Sequence, residues 1–544
     1  MYETALPARP ARDAERSGWS LSRRGFLALG AGAGLAALLD ACSGGDSAGG
    51  TASKNQILVI GSQMASFPSL DTGAITLAGY EGQRLIGNLI YEGLTKRDVS
   101  DPNKPAGLAP ALATSWQVAA DGLSYTFSLR TGVTFHDGAP WNADALLYNI
   151  NRYTNPGDPH YVKALGTYYT VLTYVKDVKK VDEMTVTFNL KEKFAYFLTD
   201  LYNVYFASPT SLDKDGSAGQ ANHPVGTGPF TFTSLTPNQQ ITMTRNPGYW
   251  GGPPKLNQIV VQLIPDAAAR SAALRSGRVN WIEAANPDDF AGLQAAGFKT
   301  AQNAFDWEWS WQLMVNQKPF DDLRVRQAMN YAIDREAIAK DLLHGTAAPA
   351  YQTFAAASPF YTEADNLYKY DPDKAKQLLT DAGYAGGLDI KVGYITAGSG
   401  AMQAKAMNEA LQAQLAKVGI RVTLDPVDFA GMYAKLGAGN TGWQAVNQAF
   451  SLEQPSSWSW LFITGQNYFG YGNSEFDALW KQALGTTDDA ARAKLLTQCG
   501  HLATADAAWM YVVNDTAPRA MAGSVRGYVQ PKSWWVPFNT VDIG

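Results

Sequence analysis

Cysteine is almost missing from this chain: 544 residues contain two, Cys42 and Cys499. No disulfide framework can be built from so few, so packing must hold the folded body together. Histidine is nearly as scarce. The five residues His136, His160, His223, His344 and His501 never stand three or four positions apart, so no helical face offers two imidazoles to zinc, and no metal site is expected. No phosphate-cradling P-loop occurs, and no glycine-rich dinucleotide fingerprint follows a strand, which leaves the usual cofactors without a home. Charged residues make up 17% of the chain with a net charge of -5, and beyond the N-terminal region no dense Lys/Arg block exists. Binding nucleic acid through its phosphates is thereby excluded. Past the first 41 residues, no apolar run approaches the roughly 20 residues needed to span a bilayer.

The N-terminal region itself is informative. Arg23-Arg24-Gly25-Phe26-Leu27 leads into an apolar, Gly- and Ala-rich run that ends in Leu39-Asp40-Ala41-Cys42. A basic pair, a run of roughly 15 apolar residues and then small residues is the order of an export signal, here spanning 1–41. Ser22 to Leu27 resembles the twin-arginine export motif. Leu39-Asp40-Ala41-Cys42 resembles a lipobox, with Asp40 an unusual member, in which the Cys42 thiol is acylated and becomes the new N-terminus. The expected location is outside the cytoplasm, as a lipid-anchored protein of the cell membrane or in the periplasm. Residues 42–55, rich in Gly, Ser and Ala, read as a flexible tether. Gly45-Asp46-Ser47-Ala48-Gly49 matches the nucleophile-elbow pattern G-x-S-x-G, but neither a strand before it nor a helix after it is visible, so it carries no catalysis.

About 500 residues remain, enough for two or three domains. Gln56 to Ile60 and Ile259 to Ile264 read as buried strands; Tyr125 to Arg130 and Met184 to Phe188 alternate as half-buried strands do. Asp322 to His344 places Val325, Ala328, Met329, Ala332, Ile333 and Leu342 along one stripe, predicting a single long helix ended by Gly345. Asp371-Pro372 predicts a helix start and Gly383 its end. Ala401 to Val418 predicts another helix, closed by Gly419 and followed by the strand Ile420 to Leu424. Strands and helices alternate without a fixed-period repeat, an α/β pattern of mixed sheets covered by helices.

Several blocks of the body resemble one family. They are Leu108 to Trp116, Asp121-Gly122 with Tyr125 to Arg130, Val133 to Pro140, Pro224 to Phe230, Arg245 to Trp250 and Pro319 to Ala328. In this order they are similar to the family 5 extracellular solute-binding proteins of ABC importers, which take up oligopeptides, dipeptides, nickel chelates and some oligosaccharides. The resemblance covers nearly all of the chain after the signal. It implies a two-lobed periplasmic-binding-protein-like fold of the large three-subdomain type. Lobe I is expected from 56–89, 221–311 and 506–544, an inserted subdomain from 90–220, and lobe II from 312–505. It also implies a monomer that binds a small molecule or peptide, hands it to a permease and performs no chemistry. The motif blocks themselves read as scaffold: Gly226-Thr227-Gly228-Pro229 supplies unusual backbone freedom at a sharp turn, Asp121-Gly122 makes a turn, and His136-Asp137 lies on a structural loop.

Ligand contact is expected elsewhere. Trp307, Trp309 and Trp311 alternate, so on a strand the three indoles share a face and form a candidate wall; the same face could equally pack into the core. Near Ala449 to Pro455 the resemblance reaches the place where peptide-binding relatives carry an aspartate for the ligand's α-amino group. Ser451 stands there. Either Glu453 substitutes for it or the ligand is not a free-amine peptide. Asn447, Gln448 and Ser451 beside a Trp-rich wall suit a carbohydrate as the alternative, and Phe450 completes the candidate set. From other classes, a secreted glycan hydrolase built on a carboxylate pair and a surface adhesin are the rival readings.

Overall fold

The computed structural model describes residues 56–544 apart from 68, 164–168 and 440. The expected export signal, the tether, Cys42 and the Gly45 to Gly49 segment lie outside the described residues. Two mixed sheets organise the body. The first has seven strands, in spatial order Lys299–Ala301, Arg519–Met521, Trp281–Ile282, Ile57–Ser62, Gln258–Leu263, Gln240–Arg245 and Phe230–Thr236. The second has six: Ala347–Pro349, Trp509–Asp515, Trp307–Leu313, Ala445–Ser451, Leu388–Ile395 and Ile420–Val427. A separate antiparallel sheet of four, Ala113–Val118, Ser124–Leu129, Thr185–Leu190 and Val175–Asp182, falls inside the stretch 90–220.

The chain crosses from the first sheet to the second between Ala301 and Trp307 and returns between Asp515 and Arg519. The strand Trp307–Leu313 pairs along its length with Ala445–Ser451 and with Trp509–Asp515. Trp307–Leu313 and Trp509–Asp515 therefore belong to the second sheet, across the expected divisions at 312 and 506. They are its centre, and every residue of Trp307–Leu313 and of Ala445–Ser451 is buried. One face packs under the helices Leu323–Tyr331 and Ala404–Ala416. The other, with Phe450 and Trp509, meets Phe462 and, through the Tyr511 hydroxyl donating to Ala503 O at 3.1 Å, the helix Asp489–Ala505.

Local signals account for most element ends. Asp371 accepts from Lys374 N at 2.9 Å with Pro372 in the first turn, and Gly383 takes φ 90° just past the end. Gly419, at φ 88°, follows the helix Ala404–Ala416 in the same way. The long helix expected from Asp322 to His344 is instead interrupted. Leu323–Tyr331 ends, Asp334 turns extended and accepts from Ala337 N at 3.0 Å, and a new helix starts at Arg335. The break lets the buried Arg335 guanidinium reach the carbonyls of Asn330 (2.8 Å), Tyr368 (3.1 Å) and Tyr511 (2.8 Å), which one continuous helix would direct elsewhere.

The family-like blocks converge on one scaffold. Glu92 accepts from Thr227 Oγ1 (2.9 Å), Tyr249 Oη (2.8 Å) and Trp250 Nε1 (2.8 Å), and Arg130 stacks 3.9 Å from the Trp250 ring centroid. His136 N donates to Gly226 O at 2.9 Å, and its Nε2 lies 3.0 Å from Gly228 O. Gly226 and Gly228 have ordinary φ; what demands glycine is close approach, since a Cβ would stand 2.1 Å from Ile90 O and 2.5 Å from Leu89 O. Among the described residues, no helix is long and apolar enough to cross a membrane, and no three His, Cys, Asp or Glu side chains gather as a metal-ligand set.

Candidate functional site

Ile57–Ser62 and Trp281–Ile282 are parallel neighbours, with Ile60 opposite Trp281 and Gly61 opposite Ile282. Gln258–Leu263 pairs in parallel on the other side of Ile57–Ser62, so the chain swaps sides of the central strand. Crevices that bind ligands in open α/β sheets form at such a switch point, outside the carboxyl ends of the strands. Here Gln63 and Ala284, which follow those two ends, line a cavity whose opposite wall holds Phe305, Trp307, Gly400 and Met402 from the second-sheet side. Asp515, Ala517 and Arg519 of the returning crossover complete it together with Trp534. Its volume is about 20 Å³, room for about one water molecule. The lobes also touch beside it: Tyr80 N donates to Ser399 Oγ at 3.2 Å, and a Cβ on Gly79 would meet Ser399 Cβ at 2.5 Å.

Backbone strain is concentrated here. Ala284 (φ 43°), Met402 (φ 49°) and Ala517 (φ 48°) all line the cavity, and only three further non-glycine residues among those described have positive φ. Each such residue costs on the order of 1 kcal/mol or more and persists where the surroundings impose it, often at binding sites.

Charge is concentrated in the same place. Glu283 accepts from Ser62 Oγ at 2.5 Å and Gln63 N at 2.9 Å, and pairs with Arg84. Burial pushes the Glu283 carboxyl up, but Arg84 and Arg519 more than reverse this and hold it below its ordinary value. Arg84 also reaches Glu81 at 3.2 Å and Trp534 O at 3.3 Å; Glu81 accepts from Gln63 Nε2 at 2.7 Å, and burial raises its pKa. Arg519 is the exception: among the described residues it has no carboxylate within ion-pair distance, and burial lowers its pKa. The Nε–H groups of Arg84 and Arg519 are both buried without an acceptor.

An aromatic wall continues from the cavity. The Tyr80 ring lies 5.1 Å from Trp307 and 4.8 Å from Trp534, Trp534 stacks on Trp535 at 4.0 Å, and Trp535 meets Tyr202 at 5.2 Å. Glu453 secures that wall by accepting from Ser533 Oγ (2.9 Å) and Trp534 N (3.3 Å), with Arg97 3.6 Å away. Burial lifts its pKa to about 7.

Of the residues singled out from sequence, Trp307 lines the cavity and Glu453 braces the wall next to it. Trp309 and Trp311 sit under the helix Ala404–Ala416, donating to Ala401 O (3.3 Å) and Asn408 Oδ1 (2.7 Å). Asn447 lies beside them, accepting from Asn408 Nδ2 at 2.9 Å and donating to Ser310 O at 3.0 Å. Phe450 faces the other side of the sheet, 5.1 Å from Trp460 and 5.7 Å from Trp509. Ser451 is opposite Trp307 in register, its hydroxyl buried without a partner. Sequence reasoning missed Tyr80, Glu81, Arg84, Arg519 and Trp534. The faint signals were an acid and a base three apart running into the apolar Leu85-Ile86, and the adjacent indoles Trp534-Trp535 near the end of the chain.

Comparison with known proteins agrees with this architecture. The family model for bacterial extracellular solute-binding proteins, family 5 (middle), matches residues 107–470. Heme-binding protein A of Haemophilus influenzae is 33% identical over 470 residues, covering 80% of this chain and 84% of that protein. Glutathione-binding protein GsiB of Pectobacterium atrosepticum is 30% identical over 498 residues, covering 88% and 92%. Among solved structures, the ABC transporter-associated periplasmic binding protein DppA from Helicobacter pylori, in complex with the peptide STSA, superposes with a TM-score of 0.79 at 25% identity, over 90% of this chain and 98% of that one.

Proposed function

We propose, from the premise that this chain belongs to the bacterial extracellular solute-binding proteins of family 5, that the solute it encloses for its ABC importer is a peptide. The solute-binding receptor role comes with the family; the peptide class is the reading offered here. The observation that carries it is the composition of the interlobe cavity: buried carboxylates and guanidiniums side by side, next to Trp307 and Trp534, at the crossover between lobes. A peptide has both charges at its ends, amide groups between them and side chains for an aromatic wall. The proteins similar to this chain include one named for glutathione and one solved in complex with the peptide STSA. A carbohydrate would draw on a continuous indole wall, but Trp309, Trp311 and Asn447 are occupied in the core.

A ligand that touches both lobes binds the closed form better than the open one and so favours closure. No bond is made or broken; mass spectrometry of the solute after incubation should return it unchanged. Export through the twin-arginine signal and tethering through acylated Cys42 complete the reading. Retention in the membrane fraction that is lost in Cys42→Ser tests the anchor. For the ligand, residues 43–544 are titrated with di- to tetrapeptides, oligosaccharides and nickel chelates while the melting temperature is followed. A peptide should raise it by mass action, with one-to-one binding in calorimetry. A shift with sugars or chelates and none with peptides would overturn the peptide assignment.

A further inference from the structure

We infer, resting on the two-lobed receptor reading above, that Glu453 and Asp200 form a proton-operated clasp between the lobes: bringing the lobes together takes up protons, so acid favours the closed, solute-holding form and rising pH favours release. The two carboxyls cross the lobe boundary in opposite directions. Glu453, two residues past the second-sheet strand Ala445–Ser451, accepts from Ser533 Oγ at 2.9 Å and Trp534 N at 3.3 Å, beyond the return to the first sheet, with Arg97 of the stretch 90–220 at 3.6 Å. Asp200 closes the helix Phe197–Asp200 in that stretch and meets the Ser456 hydroxyl, three residues after Glu453. Asp200 is 8% exposed and the Glu453 side chain 9%, and each is met by side chains of the opposite lobe. Further contacts join the same surfaces: Ala195 N donates to Leu484 O at 2.7 Å, and the Arg492 guanidinium lies 5.2 Å from the Tyr196 ring centroid.

The charge balance of this cluster favours neutral acids. Facing Glu453 are Arg97, Asp306 and the phenols of Tyr80 and Tyr202; facing Asp200 are Arg97 again and the phenols of Tyr174, Tyr196 and Tyr202, all of which burial holds neutral. One guanidinium thus serves both carboxyls, with Asp306 a third close by. A buried carboxylate without a cation of its own is costly and takes a proton instead. Asp200 Oδ1 is buried without a hydrogen-bond partner, which suits a neutral carboxyl. Burial lifts Glu453 and Asp200 to about 7 each, against the pull of Arg97. Parting the lobes returns both to water and towards their ordinary 4.5 and 3.8. The closed form therefore binds more protons than the open one, and the contribution to closure is complete below about 4 and lost as pH rises through about 7.

The test titrates a tripeptide mixture free of ionisable side chains into the purified full chain by calorimetry at pH 5 and pH 8. Wild type should bind roughly tenfold or more tightly at pH 5, and at pH 7 the heat of binding should vary with the ionisation enthalpy of the buffer in the sense of proton uptake. The double variant, Glu453→Gln with Asp200→Asn, keeps the shape of the neutral acids; it should lose most of this pH dependence and bind more tightly than wild type at pH 8, a gain that structural damage would not produce. Each single variant should remove part of the dependence, and the singles carry the test if the double variant does not fold. Equal wild-type affinity at the two pH values overturns the clasp. So does a pH dependence that the variants keep in full, which would place its source elsewhere, as in His344, 3.0 Å from Asp288. If no tripeptide binds, the peptide reading falls, and small-angle scattering of the solute-free chain decides the clasp: wild type should be more compact at pH 5 than at pH 8 and the double variant equally compact at both, whereas equal wild-type sizes overturn it.

Discussion

Three indoles on one strand face the same way and meet two different fates. Trp307 looks across the gap between lobes at Tyr80 and the cavity, while Trp309 and Trp311 are roofed by the helix Ala404–Ala416. The strand has one chemistry along this face, so what separates ligand wall from core is the cover. A helix closes one end, and the other lobe closes the other. Residue type and spacing describe the strand but not what lies over it.

The sharpest way to break this contrast is Trp311→Ala. Removing a fully buried indole that donates to Asn408 should cost about 3–5 kcal/mol in urea unfolding, with the affinity of the folded fraction unchanged. Glu453 tests the lobe-facing side by pH. Its carboxyl is raised from 4.5 to about 7 by burial, so its stabilising contribution is complete below pH 4.5 and lost as pH rises through 7. Wild type should therefore lose on the order of 3 kcal/mol more between pH 4.5 and 8 than Glu453→Gln does, read from denaturant midpoints at each pH. Trp307→Ala should reverse the Trp311 pattern, weakening peptide binding about tenfold, roughly 1.4 kcal/mol, with a smaller loss of fold stability than at Trp311. Ser451→Ala, which removes a buried hydroxyl without a partner, should change stability by less than about 1 kcal/mol. Strong loss there would mean the hydroxyl does more than fill space beside Trp307.

The fold was legible wherever a local rule decides it. Asp371-Pro372, Gly383 and Gly419 mark helix ends because capping and positive φ act within a few residues. The blocks from Leu108 to Trp250 mark the scaffold because Thr227, Tyr249 and Trp250 within them converge on Glu92. Gly226 and Gly228 were legible as glycines but not for the right cause, since the carbonyls that crowd them come from Leu89 and Ile90, more than a hundred residues earlier. The break at Asp334 escaped because the apolar stripe runs straight through it, and only the buried Arg335 requires it. The candidate site was legible at Trp307 and, in part, at Glu453. Glu81, Arg84 and Arg519 could not be found, because a charged side chain in sequence carries no sign of burial. Their meaning comes from segments 84, 283 and 519 meeting in space.

The placement of Arg519–Met521 between Trp281–Ile282 and Lys299–Ala301 has a consequence for manufacture. A nascent polypeptide emerging from the ribosome cannot finish the sheet begun at Ile57–Ser62 until Arg519–Met521 has been made, after every strand of the second sheet. The first sheet therefore cannot be expressed as an uninterrupted fragment, whereas the stretch 307–515 holds every strand of the second.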